Sequence, residues 1–157
     1  MDEFGVALND LLVNTFNSIL RLEEEMLHRI SADKLSINEL HMLEAVHRQG
    51  GEGRSITDLA RDLSITLPSV TAAINKLARK GYVIKSRSEQ DGRVVIVQLS
   101  EEGRRAEAVH RFFHRQMVNR ATQGLSQPQK DALLAGLNNL LAFFRSQEEA
   151  LAQEEKP

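Results

Sequence analysis

Apolar residues recur at helical spacing along most of this chain, and the pattern changes to β-rich runs only between Tyr82 and Leu99. Over residues 4–30, Leu8, Leu11, Leu12, Phe16, Ile19 and Leu20 make a stripe that predicts one long amphipathic helix. Ser36-Ile-Asn-Glu39 has the spacing of a capping box and opens a second helix, expected to end near Gly50-Gly51. Leu59, Ala60 and Leu63 bury one face of a short third helix, with Thr57 as its expected cap. Ser64 and Ile65 make a turn, and Thr66 is the natural N-cap of a fourth helix. Pro68 falls in that helix's first turn, where a missing N–H costs nothing. Val70, Ile74 and Leu77 form its core face, and Gly81 after Lys80 is a left-handed stop. Tyr82–Arg87 and Val94–Leu99 then read as strands joined through the turn-prone Ser88–Gly92. Ser100 caps a helix running to about Arg120. Ser126-Gln-Pro-Gln129 repeats the capping box and opens a last helix carrying Leu133, Leu134, Leu137, Leu140, Leu141, Phe143 and Phe144.

The predicted fold is mainly α with a small β-wing. A winged helix-turn-helix over residues 36–100 is flanked by helical regions at 1–35 and 101–157, all within one unit. That order of elements places one helix in the DNA major groove. The face opposite the core stripe carries Pro68, Ser69, Ala72, Asn75, Lys76 and Arg79, which are small, polar or basic. Small residues at the leading end let the backbone approach the bases, and Asn75 suits a base edge or a phosphate. With Thr66 and Thr71 these complete the helix's DNA-contacting set. The hairpin adds Arg87, Asp91 and Arg93: an arginine enters the narrow minor groove, and Asp91 pairs with one arginine to fix its direction.

The net charge of −2 looks wrong for a DNA binder until it is divided. Residues 54–93 hold eight Lys/Arg against four Asp/Glu, while the remainder is acidic, so positive charge gathers on the reading unit. At 157 residues and 41% hydrophobic content the chain fits one compact domain with extensions. It shows no signal peptide and no bilayer-spanning run, so no membrane partner and a cytoplasmic location are expected. The absence of cysteine excludes disulfides and thiol-based sensing. An enzyme is disfavoured: there is no nucleophile elbow, and Gly50-Gly-Glu-Gly53 precedes a helix-turn-helix rather than following a strand. A winged helix used only for protein contact has no need of Arg87 and Arg93 beside a polar helix face. The terminal helices carry more apolar surface than one reading unit can cover, which predicts a homodimer reading a palindromic operator in double-stranded DNA.

Over nearly its whole length the chain resembles the MarR family of bacterial winged-helix regulators. The matching residues are Ile56-Thr57…Leu59-Ala60, Pro68–Thr71, Ile74–Leu77, Lys80–Tyr82, Arg87-Ser88, Asp91–Arg93 and Leu99-Ser100…Gly103. The resemblance implies a triangular homodimer, usually a repressor engaged or released by a small ligand. It places Ser69 and its neighbours in the major groove and Arg93, supported by Asp91, in the minor groove. Ala72 departs from the basic or amide side chain often found there. Glu39–Met42, Arg87–Asp91 and Phe113-His114…Met117 look most like the branch repressing fatty-acid synthesis. That branch implies acyl-carrier protein bearing a long acyl chain as corepressor, and an apolar tunnel would suit such a ligand.

His110 and His114 stand four apart on one helical face, a spacing at which two imidazoles share a divalent cation. His41 and a glutamate among Glu23, Glu24 and Glu25, with Glu24 the assigned ligand, complete a tetrahedral set for zinc. These types and positions resemble the zinc-responsive branch of the family. The plainer reading has the histidines hydrogen-bonding glutamates without metal. His28 and His47 read as surface positions.

Overall fold

Ser36 closes the capping box that its spacing to Glu39 predicts: Ser36 N–H donates to Glu39 Oε2 at 2.8 Å, and Glu39 N–H donates back to Ser36 Oγ at 3.3 Å. The helix so opened is α2 (Ile37–His47). It lies in a computed structural model that describes residues 1–31, 35–48 and 53–154. Before it comes α1 (Glu3–Ser31). After it come β1 (Arg54–Ser55), α3 (Ile56–Leu63), α4 (Leu67–Arg79), β2 (Val83–Arg87), β3 (Val95–Leu99), α5 (Glu101–Thr122) and α6 (Gln127–Glu154). The class is the one the sequence predicts, helical with a small antiparallel sheet, here three strands in the order β1-β3-β2. Gly50 and Gly51, the expected end of α2, lie outside the described residues.

The cap of α3 is Ser55, not Thr57: Ser55 Oγ accepts from Asp58 N–H at 3.0 Å, so the helix begins one residue before Thr57. Ser55 also ends β1, a strand too short for any alternation to announce. Gly53 makes that strand possible, because with φ +94° it runs so close to β3 that a Cβ would sit 2.6 Å from the Gln98 side chain. Arg54 of β1 pairs with Val97, and its buried guanidinium donates to Ala45 O at 3.1 Å and to Asp62. β2 and β3 run antiparallel from Val83↔Leu99 to Arg87↔Val95.

Leu40, Leu43, Leu59, Val70, Ile74, Leu77 and Val97 are fully buried and form the core beneath α4. The stop after α4 forms as expected, with Gly81 at φ +83°. Ser100 then caps α5, accepting from Gly103 N–H at 3.0 Å. His47 is half-buried rather than a surface residue, its Nε2 3.9 Å from the buried Glu107, whereas His28 is exposed.

The chain divides into two compact units, Met1–His114 and Arg115–Pro157, with the division inside α5. In the first unit α1 leaves Phe4, Leu11 and Phe16 more than 60% exposed. In the second, α6 leaves Leu134, Leu137, Phe143 and Phe144 about half exposed.

Candidate nucleic-acid interface and metal centre

The turn between α3 and α4 is made by Ser64, which adopts a left-handed conformation (φ 54°) and ends α3. Ile65 N–H then bonds back to Ala60 O at 3.1 Å, turning the chain sharply into α4. Thr66 caps α4, with Ser69 N–H 3.4 Å from its Oγ1 and the two hydroxyls 2.8 Å apart. Burial of Val70, Ile74 and Leu77 leaves Pro68, Ser69, Ala72, Asn75, Lys76 and Arg79 exposed on the opposite face. Thr71 is half-buried, and its hydroxyl donates to Leu67 O at 2.8 Å. Asn75 Oδ1 accepts from Lys85 Nζ at 2.6 Å, and both residues line an open groove with Ala72, Ala78 and Arg79. Lys76 does not stand free: its Nζ lies 3.2 Å from the carboxylate of Glu39. Lys80 binds both oxygens of the same carboxylate at 2.7 Å. Burial works to raise the Glu39 pKa, but the bonds from Lys80, Ser36 N–H and Lys76 outweigh it and hold the carboxyl below its ordinary value.

The wing is braced from within. Arg87 Nη1 donates to Gly92 O at 3.1 Å, so this side chain supports the tip. Among the described residues Asp91 pairs with no guanidinium. Its Oδ1 accepts the backbone N–H of Arg93 at 2.9 Å, and it thereby sets the path of the chain rather than the direction of an arginine. Ser88 completes the tip, its Oγ accepting from the N–H groups of Gln90 and Asp91. Arg93 remains exposed beyond it.

A second cluster lies within the first unit, where α1, α2 and the start of α5 bring Glu23, His41, His110 and His114 together. One ligand atom from each lies within 4.8 Å of all the others. Glu23 Oε1 is 3.2 Å from His110 Nε2, 3.1 Å from His114 Nε2 and 3.8 Å from His41 Nε2, and the Nε2 atoms of His110 and His114 are 2.8 Å apart. Tetrahedral zinc with bonds of about 2.0–2.1 Å places its ligand atoms about 3.3–3.4 Å apart, so the donor set is of the right type and size. Glu24, the glutamate assigned from sequence, is exposed and outside the cluster. Glu23 continues the stripe of Phe16, Leu20 and Leu27 at helical spacing, so a carboxylate set in an apolar row was the available signal. Glu23 and His110 are almost wholly buried. Burial depresses the His110 pKa, with the bond to Glu23 opposing it, and so favours the neutral imidazole that metal binding requires.

Residues 27–108 match the sequence profile of the family described as transcriptional regulator SarA/Rot. The chain belongs to this MarR-like winged-helix family. It is 33% identical to Streptococcus pneumoniae FabT, solved in complex with DNA, over 90% of this chain and 97% of that one, with a TM-score of 0.78. The MarR-like fold extends to the Staphylococcus aureus MepR–DNA complex, at 17% identity and a TM-score of 0.66 over 92% of this chain and 99% of that one. Among curated relatives, the Bacillus subtilis HTH-type transcriptional regulator YfiV is 28% identical over 68% of this chain. The match spans just under two thirds of the length of YfiV and of YwhA from the same organism, 65% and 66% respectively. No described helix of this MarR-like chain is long and apolar enough to cross a membrane.

For a MarR-like chain so arranged, Arg93→Ala should weaken operator binding by about 1–3 kcal/mol and flatten its salt dependence by roughly one counterion. Thermal stability should be unchanged, since the side chain is exposed. Equal affinity of variant and parent across a salt series would remove the wing from the contact surface.

Proposed function

We propose that this chain is a sequence-specific, homodimeric DNA-binding regulator whose operator affinity is set by a divalent cation, zinc by preference. The observation that carries the effector is the convergence of Glu23, His41, His110 and His114 on one small, partly buried volume. Three imidazoles and one carboxylate suit zinc and its borderline neighbours, and their ligand atoms, all within 4.8 Å of one another, bracket the spacing of a tetrahedral ion. When bound, the ion supplies charge neutralisation for Glu23 and a tie between α1, α2 and α5. His41 lies two residues from Glu39, which holds Lys76 and Lys80 of α4, so a tie on α2 steadies the helix that meets DNA.

In this reading Pro68, Ser69, Ala72, Asn75 and Arg79 meet the major groove and Arg93 the minor groove. Homodimer formation is supported by the apolar residues that α1 and α6 leave uncovered in a single chain. A second effector class, a long acyl chain delivered by acyl-carrier protein, is favoured by a cleft of about 390 Å³ whose lining includes Met42, Leu63, Ile65 and Ala73.

Competition with a chromophoric chelator should give one zinc per chain, and cobalt(II) in its place should give the intense visible bands of a tetrahedral site. Light scattering should give twice the 17.6 kDa chain mass. Weak octahedral cobalt bands, or affinity that climbs with acyl length and ignores zinc, would replace the metal reading.

A further inference from the structure

We infer that Glu44 is the positioning residue of the metal centre: it holds the Nδ1–H of His110 and so presents the Nε2 lone pair to the cation. The inference rests on the metal reading above. His110 Nδ1 is buried and has no hydrogen-bond partner among the described residues. Glu44 Oε2 lies 3.6 Å from it. Glu44 is one helical turn beyond His41 on α2, so a single helix supplies both a ligand and the group behind another ligand.

The tautomer is set by what binds the other ring nitrogen. His110 Nε2 is 2.8 Å from His114 Nε2, so one of the two must carry the proton and the other must accept it. The ring faces a carboxylate at each nitrogen, Glu23 Oε1 3.2 Å from Nε2 and Glu44 Oε2 3.6 Å from Nδ1, so without a cation its proton can serve either. A cation bound by Nε2 takes that lone pair and leaves the proton on Nδ1, where the N–H points at Glu44. A metal-bound imidazole generally donates its remaining N–H to a carboxylate or carbonyl, which fixes the ring and raises ligand basicity. A shift of a few tenths of an ångström turns the 3.6 Å approach into that bond. Arg48 Nη2, 3.6 Å from Glu44 Oε1, holds the carboxylate from its other side. Glu44 does not belong to the ligand set itself.

The test uses the full chain and zinc alone. In chelator competition, Glu44→Ala should weaken zinc binding by about 10–100-fold, and Glu44→Gln, which keeps an acceptor, should recover part of that loss. In the zinc-loaded parent the His110 Nδ1–H proton should resonate downfield and exchange slowly with solvent, and in zinc-loaded Glu44→Ala it should move upfield and exchange faster. Parental zinc affinity in Glu44→Ala, with an unchanged His110 Nδ1–H resonance, overturns the assignment while leaving the metal centre standing. A parent chain that fails to bind zinc removes both.

Discussion

Gly103→Ala should be among the most damaging single substitutions in this chain, lowering stability by on the order of 3 kcal/mol or more, at or beyond the upper end of ordinary overpacking. A Cβ built at Gly103 meets Tyr82 O at 2.0 Å, and the obstacle is backbone, which cannot swing aside. The contact is close because α5 starts directly against the turn that follows α4. Ser100 N–H donates to Tyr82 O at 3.0 Å, Ser100 Oγ donates to Gly81 O at 2.6 Å, and Gly103 N–H donates to Ser100 Oγ. Moving α5 away to admit a methyl group breaks this set and shifts Leu99 and Tyr82, both buried. Denaturant unfolding of parent and variant measures the loss. A change below about 1 kcal/mol would mean that the first turn of α5 yields cheaply.

Glu39→Ala should be the next most costly, by about 2–3 kcal/mol. The carboxylate closes the capping box of α2 and receives Lys76 and Lys80 from α4, with its side chain only 7% exposed. Losing a cap costs about 1 kcal/mol, and breaking a buried ion pair costs about 3–5 kcal/mol. Lys80 is 27% exposed and Lys76 55%, so both recover solvation when released, and the total stays below the sum of those losses. Glu39→Gln keeps the reach to Ser36 N–H and should cost about half as much. Chemical unfolding again reads the loss, and equal stability of all three chains would show that the link between α2 and α4 is idle.

The reading helix and the wing were legible because their signals are local. Thr66, Pro68 and Gly81 each mark a boundary through their own backbone chemistry, and the spacing of Val70, Ile74 and Leu77 places the core face without reference to the rest of the fold. The two-residue strand β1 was illegible because it exists only through pairing with β3, some forty residues away. Ser55 was overlooked as a cap because it serves a strand and a helix at once. The Glu/His cluster was half legible: the i,i+4 histidines announce themselves, but which of three adjacent glutamates faces them depends on the rotation of α1 against α2 and α5. Lys76, Arg87 and Asp91 carry contacts that their place in the sequence hides. Each charged or polar group finds an intramolecular partner, respectively Glu39, the Gly92 carbonyl and the Arg93 N–H, and sequence spacing does not reveal those partners.

Cation binding at Glu23, His41, His110 and His114 should be coupled to DNA binding. Fluorescence anisotropy on the DNA upstream of the protein's own gene, with competitor DNA present, measures that coupling directly. Zinc should tighten binding by about 5–150-fold over the same titration in chelator, the ordinary range of a coupling free energy. The double substitution His41→Ala with His114→Ala removes two partly exposed ligands and leaves buried His110 in place, so it should abolish the difference and leave chelator-treated binding near the parental level. Parental affinity that is the same in zinc and in chelator, or a double variant that responds to zinc as the parent does, would contradict the account.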